Sequence, residues 1–200
     1  MACRPTTAIR MIGGRANPLR PNNGVFAPVL RPTDISPLAR LVRRVVAVTR
    51  GRNTAVVVND RADIAIAAGA DGVHLPASGL PADRVRRLVP EGFLVGRSDH
   101  DAAEASAVER SGGADYLVFG TVFPSESKPA EHHVAGTGEL RRTCQAVGLP
   151  VLAVGGITVD RAGDAAAAGA AGVAAIGLFA RVPPGDVEAV VVTDLGTFRF

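Results

Sequence analysis

One recurring phrase constrains the fold of this chain more than any other feature. It reads Ala-Gly-Ala-Asp-Gly-Val at 68–73, Gly-Gly-Ala-Asp-Tyr-Leu at 112–117 and Ala-Gly-Ala-Ala-Gly-Val at 168–173. Each copy follows an Ala-rich stretch of helical pattern and leads into a short apolar run. A glycine just past a helix takes the left-handed conformation that closes it, and the residues after it turn into a buried strand. Repeated helix-to-strand joints imply a parallel sheet, because parallel neighbours need a crossover between them.

Around these joints the apolar pattern predicts strands at Val25–Leu30, Thr54–Val58, Val73–Leu75, Phe93–Gly96, Tyr116–Phe119, Val151–Val154 and Val173–Ile176. It predicts helices from Ser36 to Thr49, Arg61 to Ala68, Ala82 to Val89, Asp101 to Arg110, Gly138 to Val147 and Thr158 to Ala168, with Ser36 and Thr158 as caps. The fold class expected is α/β, a (βα)₈ TIM barrel whose first βα unit is irregular or incomplete. The missing strand should lie in residues 1–24, where only Thr7–Ile12 has the pattern and no helix pattern follows. The structural alternative is an open doubly wound sheet, although no Gly-x-Gly-x-x-Gly follows the first strand. The expected organisation is a basic, Pro-containing segment over 1–24, a barrel over 25–182 and a C-terminal segment over 183–200. In that last segment Val187–Val192 reads as a strand or a short buried helix.

Composition narrows the function. A chain of 200 residues, 47% of them hydrophobic, fits one core. A net charge of +3 is too small to argue for nucleic acid, and 4% aromatics leaves few stacking platforms for single strands. No run of ~18 apolar residues suggests a membrane span. Two cysteines, Cys3 and Cys144, make no disulfide framework, so a reducing, cytoplasmic setting is expected. A homo-oligomer is compatible with all of this. Arg4, Arg10, Arg15, Arg20 and Arg31 precede the first acid, Asp34. Such a start reads as a transit peptide or an irregular tail, and its prolines favour the tail. Lys128 stands alone against 21 arginines. An ammonium is a compact phosphate partner for which Arg is no equivalent, which favours a function for it over chance survival.

Barrel sites are built at the C-terminal strand ends. The polar residues there are Arg31, Asn59, Asp60, Arg97, Ser98, His100, Thr121, Gly155 and Gly156. Gly155 and Gly156 bare backbone N–H groups, and a short helix after Gly177 would add its positive end, which together make a phosphate site. The plain alternative is a tight turn. Asp60 could hold Mg²⁺, or Asp60 or Asn59 could cap the next helix; both readings stand. Loop 120–137 carries Thr121, Ser125, Ser127 and Lys128, suited to a diphosphate or carboxylate. His132 and His133 read as solvated loop residues, and His74 as a satisfied core residue.

Three blocks carry a resemblance: Val58 to Leu75, Gly113 to Lys128 and Val151 to Thr158. Together they are similar to the thiamine phosphate synthase and thiazole tautomerase family, over about residues 25–180. The resemblance implies thiamine biosynthesis: condensation of hydroxymethylpyrimidine diphosphate with thiazole phosphate. It implies Asp60 as a Mg²⁺ ligand, and Asn59, Ser98 and Lys128 on the diphosphate. Ser125 and Ser127 would meet the thiazole, while Gly156, Ile176 and Gly177 would line its phosphate site. Catalytic roles would fall to Lys128, Ser98 and Thr121. Two family positions are altered: its diphosphate lysine is Thr33 here and its second Mg²⁺ carboxylate is Gly79. The segments His74–Ser78 and Val95–His100 resemble the tautomerase branch instead, yet the position of that branch's proton-handling histidine is Thr121. A non-catalytic barrel binding thiazole or thiamine phosphate is a further alternative.

Overall fold

The computed structural model describes residues 8–12, 35–52, 54–125, 129 and 131–180. Its strands are β1 (Ala8–Ile12), β2 (Thr54–Asn59), β3 (Gly72–Leu75), β4 (Leu94–Asp99), β5 (Tyr116–Gly120), β6 (Val151–Val154) and β7 (Gly172–Ala174). They form one sheet in chain order, with every neighbouring pair parallel. The helices are α1 (Ile35–Thr49), α2 (Ala62–Ala68), α3 (Ala82–Arg86), α4 (Ala102–Ser111), α5 (Gly136–Ala146), α6 (Val159–Ala167) and α7 (Ile176–Ala180). Parallel neighbours in chain order need a crossover between each pair, and the described helices pack against one face of the sheet.

That face holds the core. Val56 and Val58 of β2, Val73 and Leu75 of β3, and Val95 of β4 pack against Leu38 and Val42 of α1, Ile64 and Ala65 of α2, and Val85 of α3. Leu117 and Phe119 of β5 and Ala153 of β6 pack against Ala105, Leu140, Ala162 and Ala165 of the later helices. The opposite face carries a smaller apolar group of Tyr116, Val118 and Leu152, with Val154 beside it. Strands buried on both faces need β-branched runs rather than alternation, as Val56–Val58 supplies.

The recurring phrase now has a physical account. Gly69 closes α2 at φ 72, and its N–H returns to Ile66 O. Two residues later Asp71 N donates to Val56 O at 2.8 Å, and the Asp71 carboxylate accepts from Val56 N at 2.6 Å. Asp115 repeats this on the next strand but one: its N donates to Val95 O at 2.7 Å and its carboxylate accepts from Val95 N at 2.7 Å. The aspartate therefore grips both backbone groups of one residue in the preceding strand and sets the register of entry. The third copy has Ala171, which keeps only the backbone bond, to Val151 O at 2.8 Å.

Several expectations need correction. The order β1 to β7 never reverses, which removes the doubly wound alternative. Of the expected (βα)₈ barrel, the described residues give seven parallel strands in chain order, β1 to β7, and an eighth strand is not among them. The first strand is Ala8–Ile12, and it pairs directly with β2, Ala8 opposite Thr54 and Ile12 opposite Val58. No strand is inserted between them, and the expected Val25–Leu30 strand lies outside the described residues, as does Val187–Val192. Ser36 falls inside the first turn of α1 rather than at its cap. Thr158 does occupy the N-cap of α6, without a side-chain hydrogen bond. β7 ends at Ala174, and Ile176 opens α7. Among the described residues no helix is long and apolar enough to cross a membrane.

Candidate active site

Side chains alternate along a strand, so the face away from the helices receives every second residue. The register sets Asn59 opposite His74, His74 opposite Gly96, and Gly96 opposite Tyr116. This inner face therefore carries Asn59, His74 and Ser98 toward the C-terminal ends of β2, β3 and β4, with Tyr116, the first residue of β5, beneath them. His74 is 2% exposed, its Nε2 lies 2.8 Å from Ser98 Oγ, and its ring stacks on Tyr116 at 5.8 Å. Burial, and secondarily the cation of Arg97, push its pKa down to about 3, so the imidazole is neutral. Arg97 is fixed by donating to the carbonyls of Ala77 at 2.7 Å, Leu80 at 2.7 Å and Gly79 at 3.3 Å. It thereby holds the turn after β3.

Asp60 is exposed at the end of β2, with φ 59, and its N donates to His74 O at 2.8 Å. The N-cap of α2 is Arg61, without a side-chain hydrogen bond, so neither Asn59 nor Asp60 takes the capping role. Among the described residues no three His, Cys, Asp or Glu side chains gather as a metal cluster. Gly79 sits in a turn where a Cβ would lie 2.9 Å from Pro76 Cδ and 3.0 Å from Pro76 O. A carboxylate could return there only if that turn moved.

The end of β5 differs most from expectation. Thr121 Oγ1 lies 2.9 Å from His132 Nε2, so the loop brings an imidazole back onto Thr121. His132 is half-buried rather than solvated; His133 is exposed as expected. Sequence reasoning missed the pairing because the two residues are separated by a Pro-bounded loop with no periodicity to signal the return. His100 is exposed and places Nδ1 2.8 Å from Gly120 O.

After β6, Gly155 has φ 98 and Gly156 φ 62. A Cβ at Gly155 would lie 2.4 Å from Thr121 Cγ2, and one at Gly156 2.3 Å from Pro124 O. Close packing on the β5 loop accounts for both glycines, so the pair alone is no proof of a phosphate. Arg161 donates to Gly156 O at 2.9 Å and lies over the Phe123 ring at 5.4 Å, fastening the same junction. Ile176 and Gly177 are exposed at the start of α7, next to this turn in the sheet order, and a Cβ at Gly177 would meet nothing within 4 Å. The structure thus brings Asn59, Asp60, Ser98, Thr121, Gly155, Gly156, Ile176 and Gly177 to one edge of the sheet. Ser125 is half-buried in the β5 loop. Arg31, Ser127 and Lys128 lie outside the described residues.

One acid points the other way. Asp99 follows Ser98 on β4, is 1% exposed, and neither carboxylate oxygen has a partner among the described residues. Burial, then Glu104 and Asp101, push its pKa up to about 8. The Cys144 thiol is pushed up to about 11, first by burial and then by Asp99.

A sequential parallel sheet with helices on one face and polar groups at its C-terminal edge defines a barrel-type α/β protein. The family described as thiamine monophosphate synthase matches residues 22–179. The thiamine-phosphate synthase of Methanoculleus marisnigri is 45% identical over 142 residues, covering 71% of this chain and 66% of that one. A putative thiamine-phosphate synthase of Geobacter sulfurreducens is 45% identical over 139 residues, covering 70% and 63%. The chain thus spans slightly less than two thirds of the length of these curated relatives. Among solved structures, the thiamine phosphate pyrophosphorylase from Pyrococcus furiosus superposes with a TM-score of 0.70 at 29% identity, covering 84% of this chain and 79% of that one. A 3-hexulose-6-phosphate synthase structure, with a TM-score of 0.59 at 20% identity, covers 82% and 84% and shares the fold. The chain belongs to the thiamine monophosphate synthase family.

Proposed function

We propose that this chain is a thiamine-phosphate synthase-type transferase that joins hydroxymethylpyrimidine diphosphate to thiazole phosphate. The observation that carries the reading is the family match together with the strand-end set Asn59, Asp60, Ser98 and Gly156 collected at one edge. In the reaction the bond between the pyrimidine methylene and the diphosphate oxygen breaks, and its electron pair leaves with pyrophosphate. The thiazole nitrogen lone pair forms the new carbon–nitrogen bond, so no oxidant or reductant is needed.

The roles follow from chemistry and placement. Asn59 and Ser98 offer neutral hydrogen-bond donors to diphosphate oxygens, and Lys128 would add the compact cation, with Arg31 a further candidate. Ser125 and Ser127 would contact the thiazole, and Gly156, Ile176 and Gly177 its phosphate. Mg²⁺ is usually held by one or two carboxylates plus substrate phosphates, and Asp60, uncommitted to capping, fits as the single carboxylate. When bound, the ion would neutralise charge on the departing pyrophosphate. The test is pyrophosphate release from the two substrates with and without Mg²⁺. Release that needs both substrates and falls sharply in Asp60→Ala is expected; no release under any condition overturns the reading.

A second reading rests on Thr121 and His132. An imidazole within 2.9 Å of the Thr121 hydroxyl could move a proton at the place where the tautomerase branch keeps its histidine. Deuterium incorporation into thiazole carboxylate phosphate, lost in His132→Gln, would favour it over the synthase reading.

A further inference from the structure

His74 is buried with one ring nitrogen engaged and one idle. Nε2 is 2.8 Å from Ser98 Oγ, whereas Nδ1 has no hydrogen-bond partner among the described residues. A neutral imidazole carries one N–H, which leaves two arrangements. With the proton on Nδ1, a buried donor would go unpaired and Ser98 would spend its only hydrogen on Nε2. With the proton on Nε2, the ring donates to Ser98 Oγ and only a lone pair is left idle. Orphaned buried N–H groups are rarer than under-satisfied acceptors, which selects the second arrangement. Ser98 then accepts from His74 and keeps its own hydrogen for something else. Ser98 is half-buried, and it stands on the inner face of β4 at the end where the site lies.

We propose that His74 is a positioning residue that fixes Ser98 as a hydrogen-bond donor to an oxygen of an anionic ligand, the diphosphate of the proposed reaction. The ring is held for this. It stacks on Tyr116 with 27° between planes, and Tyr116 is itself seated on Gly96, where a Cβ would lie 2.1 Å from its Cζ. Burial and Arg97 keep the imidazole neutral through the physiological range, so the donor direction does not reverse with pH. The identity of the ligand rests on the function proposed above; the hydrogen-bond direction does not.

Two measurements on the intact chain decide it. Nitrogen-15 NMR of labelled histidine should show His74 as a single neutral tautomer protonated at Nε2 from pH 5 to 8; protonation at Nδ1, or a charged ring, overturns the proposal. Calorimetry with inorganic pyrophosphate should show Ser98→Ala and His74→Phe each weakening affinity about tenfold, with the double variant no weaker than Ser98→Ala. Additive losses, or full affinity in His74→Phe, overturn it. His74→Gln, which keeps an N–H in the pocket, should retain more affinity than His74→Phe and covers the case in which the phenylalanine variant fails to fold. Wild-type protein that ignores pyrophosphate would sink the diphosphate reading alone, and the tautomer would still decide the geometry.

Discussion

Asp99→Asn should change the pH dependence of stability in a calculable way. Asp99 is 1% exposed, its carboxylate lacks partners among the described residues, and its pKa is pushed from 3.8 up to about 8. The groups around it are Asp101 and Glu104 at the start of α4 and Cys144 on α5. Glu104 is itself engaged, accepting from His100 N at 2.9 Å. The sign follows from linkage. Between pH 4 and 8 the folded state holds a proton on Asp99 that the unfolded state has released, so stability falls as pH rises. Above pH 8 both states are ionised and this slope vanishes. At about 1.4 kcal/mol per pH unit, the loss between pH 5 and 8 approaches ~4 kcal/mol. That is a ceiling, since water admitted by local opening would lower it. Asn cannot ionise, so the difference in unfolding free energy between Asp99→Asn and the parent should widen by 2–4 kcal/mol, on the order of this ceiling, from pH 5 to pH 8. Urea unfolding at pH 5, 6.5, 8 and 9 measures it. The difference between the two proteins is the quantity to use, because titrating groups not coupled to Asp99 cancel in it. Parallel curves would refute the reasoning and mean that Asp99 ionises freely in the folded state.

Three further outcomes are expected. Gly156→Asp should abolish binding of thiazole phosphate by calorimetry, through charge against the dianion and through a Cβ only 2.3 Å from Pro124 O at φ 62; Gly156→Ala separates the two causes, and unchanged affinity in Gly156→Asp would sink the assignment. Asp71→Ala should cost about 1–3 kcal/mol in urea unfolding, because it strips the acceptor from the buried Val56 N–H; a change below ~0.5 kcal/mol would mean the backbone bond from Asp71 alone sets the register. Lys128→Ala should weaken anionic ligands by on the order of 2–3 kcal/mol, more than a surface ion pair, with Lys128→Arg a partial rescue; parent-like affinity in both would make Lys128 an ordinary surface residue.

The fold was legible where local rules and long-range pairing coincide. The Gly-Ala-Asp phrase announces a helix end and a strand start, and its aspartates also bond the neighbouring strand, so one short motif specifies both the element and its partner. Pairing of distant segments leaves no such trace. Nothing in the composition of residues 8–12 says that they lie beside 54–58 rather than beside another strand. The same holds in the site. Asn59, Asp60, Ser98 and Thr121 were legible because strand ends are where a parallel α/β sheet presents side chains. His132 was not, since a loop return is set by packing rather than by period.

The contrast between Ser98 and Asp99 shows how little separates the two outcomes. They are consecutive on β4, and a strand sends consecutive side chains to opposite faces. Ser98 faces inward and meets His74; Asp99 goes into the helix-covered face beside Cys144, where its carboxylate has no partner among the described residues. A polar pair at a strand end looks like two site residues in the sequence. Only the register Ser98 opposite Val118 and Asp99 opposite Phe119 assigns them: Val118 lies in the small inner apolar group and Phe119 in the helix-facing core. Asp99 therefore weighs on stability rather than on ligand binding. If Asp99→Asn altered pyrophosphate affinity as strongly as Ser98→Ala does, the assignment of faces on β4 would be wrong, and the positioning role of His74 would fall with it.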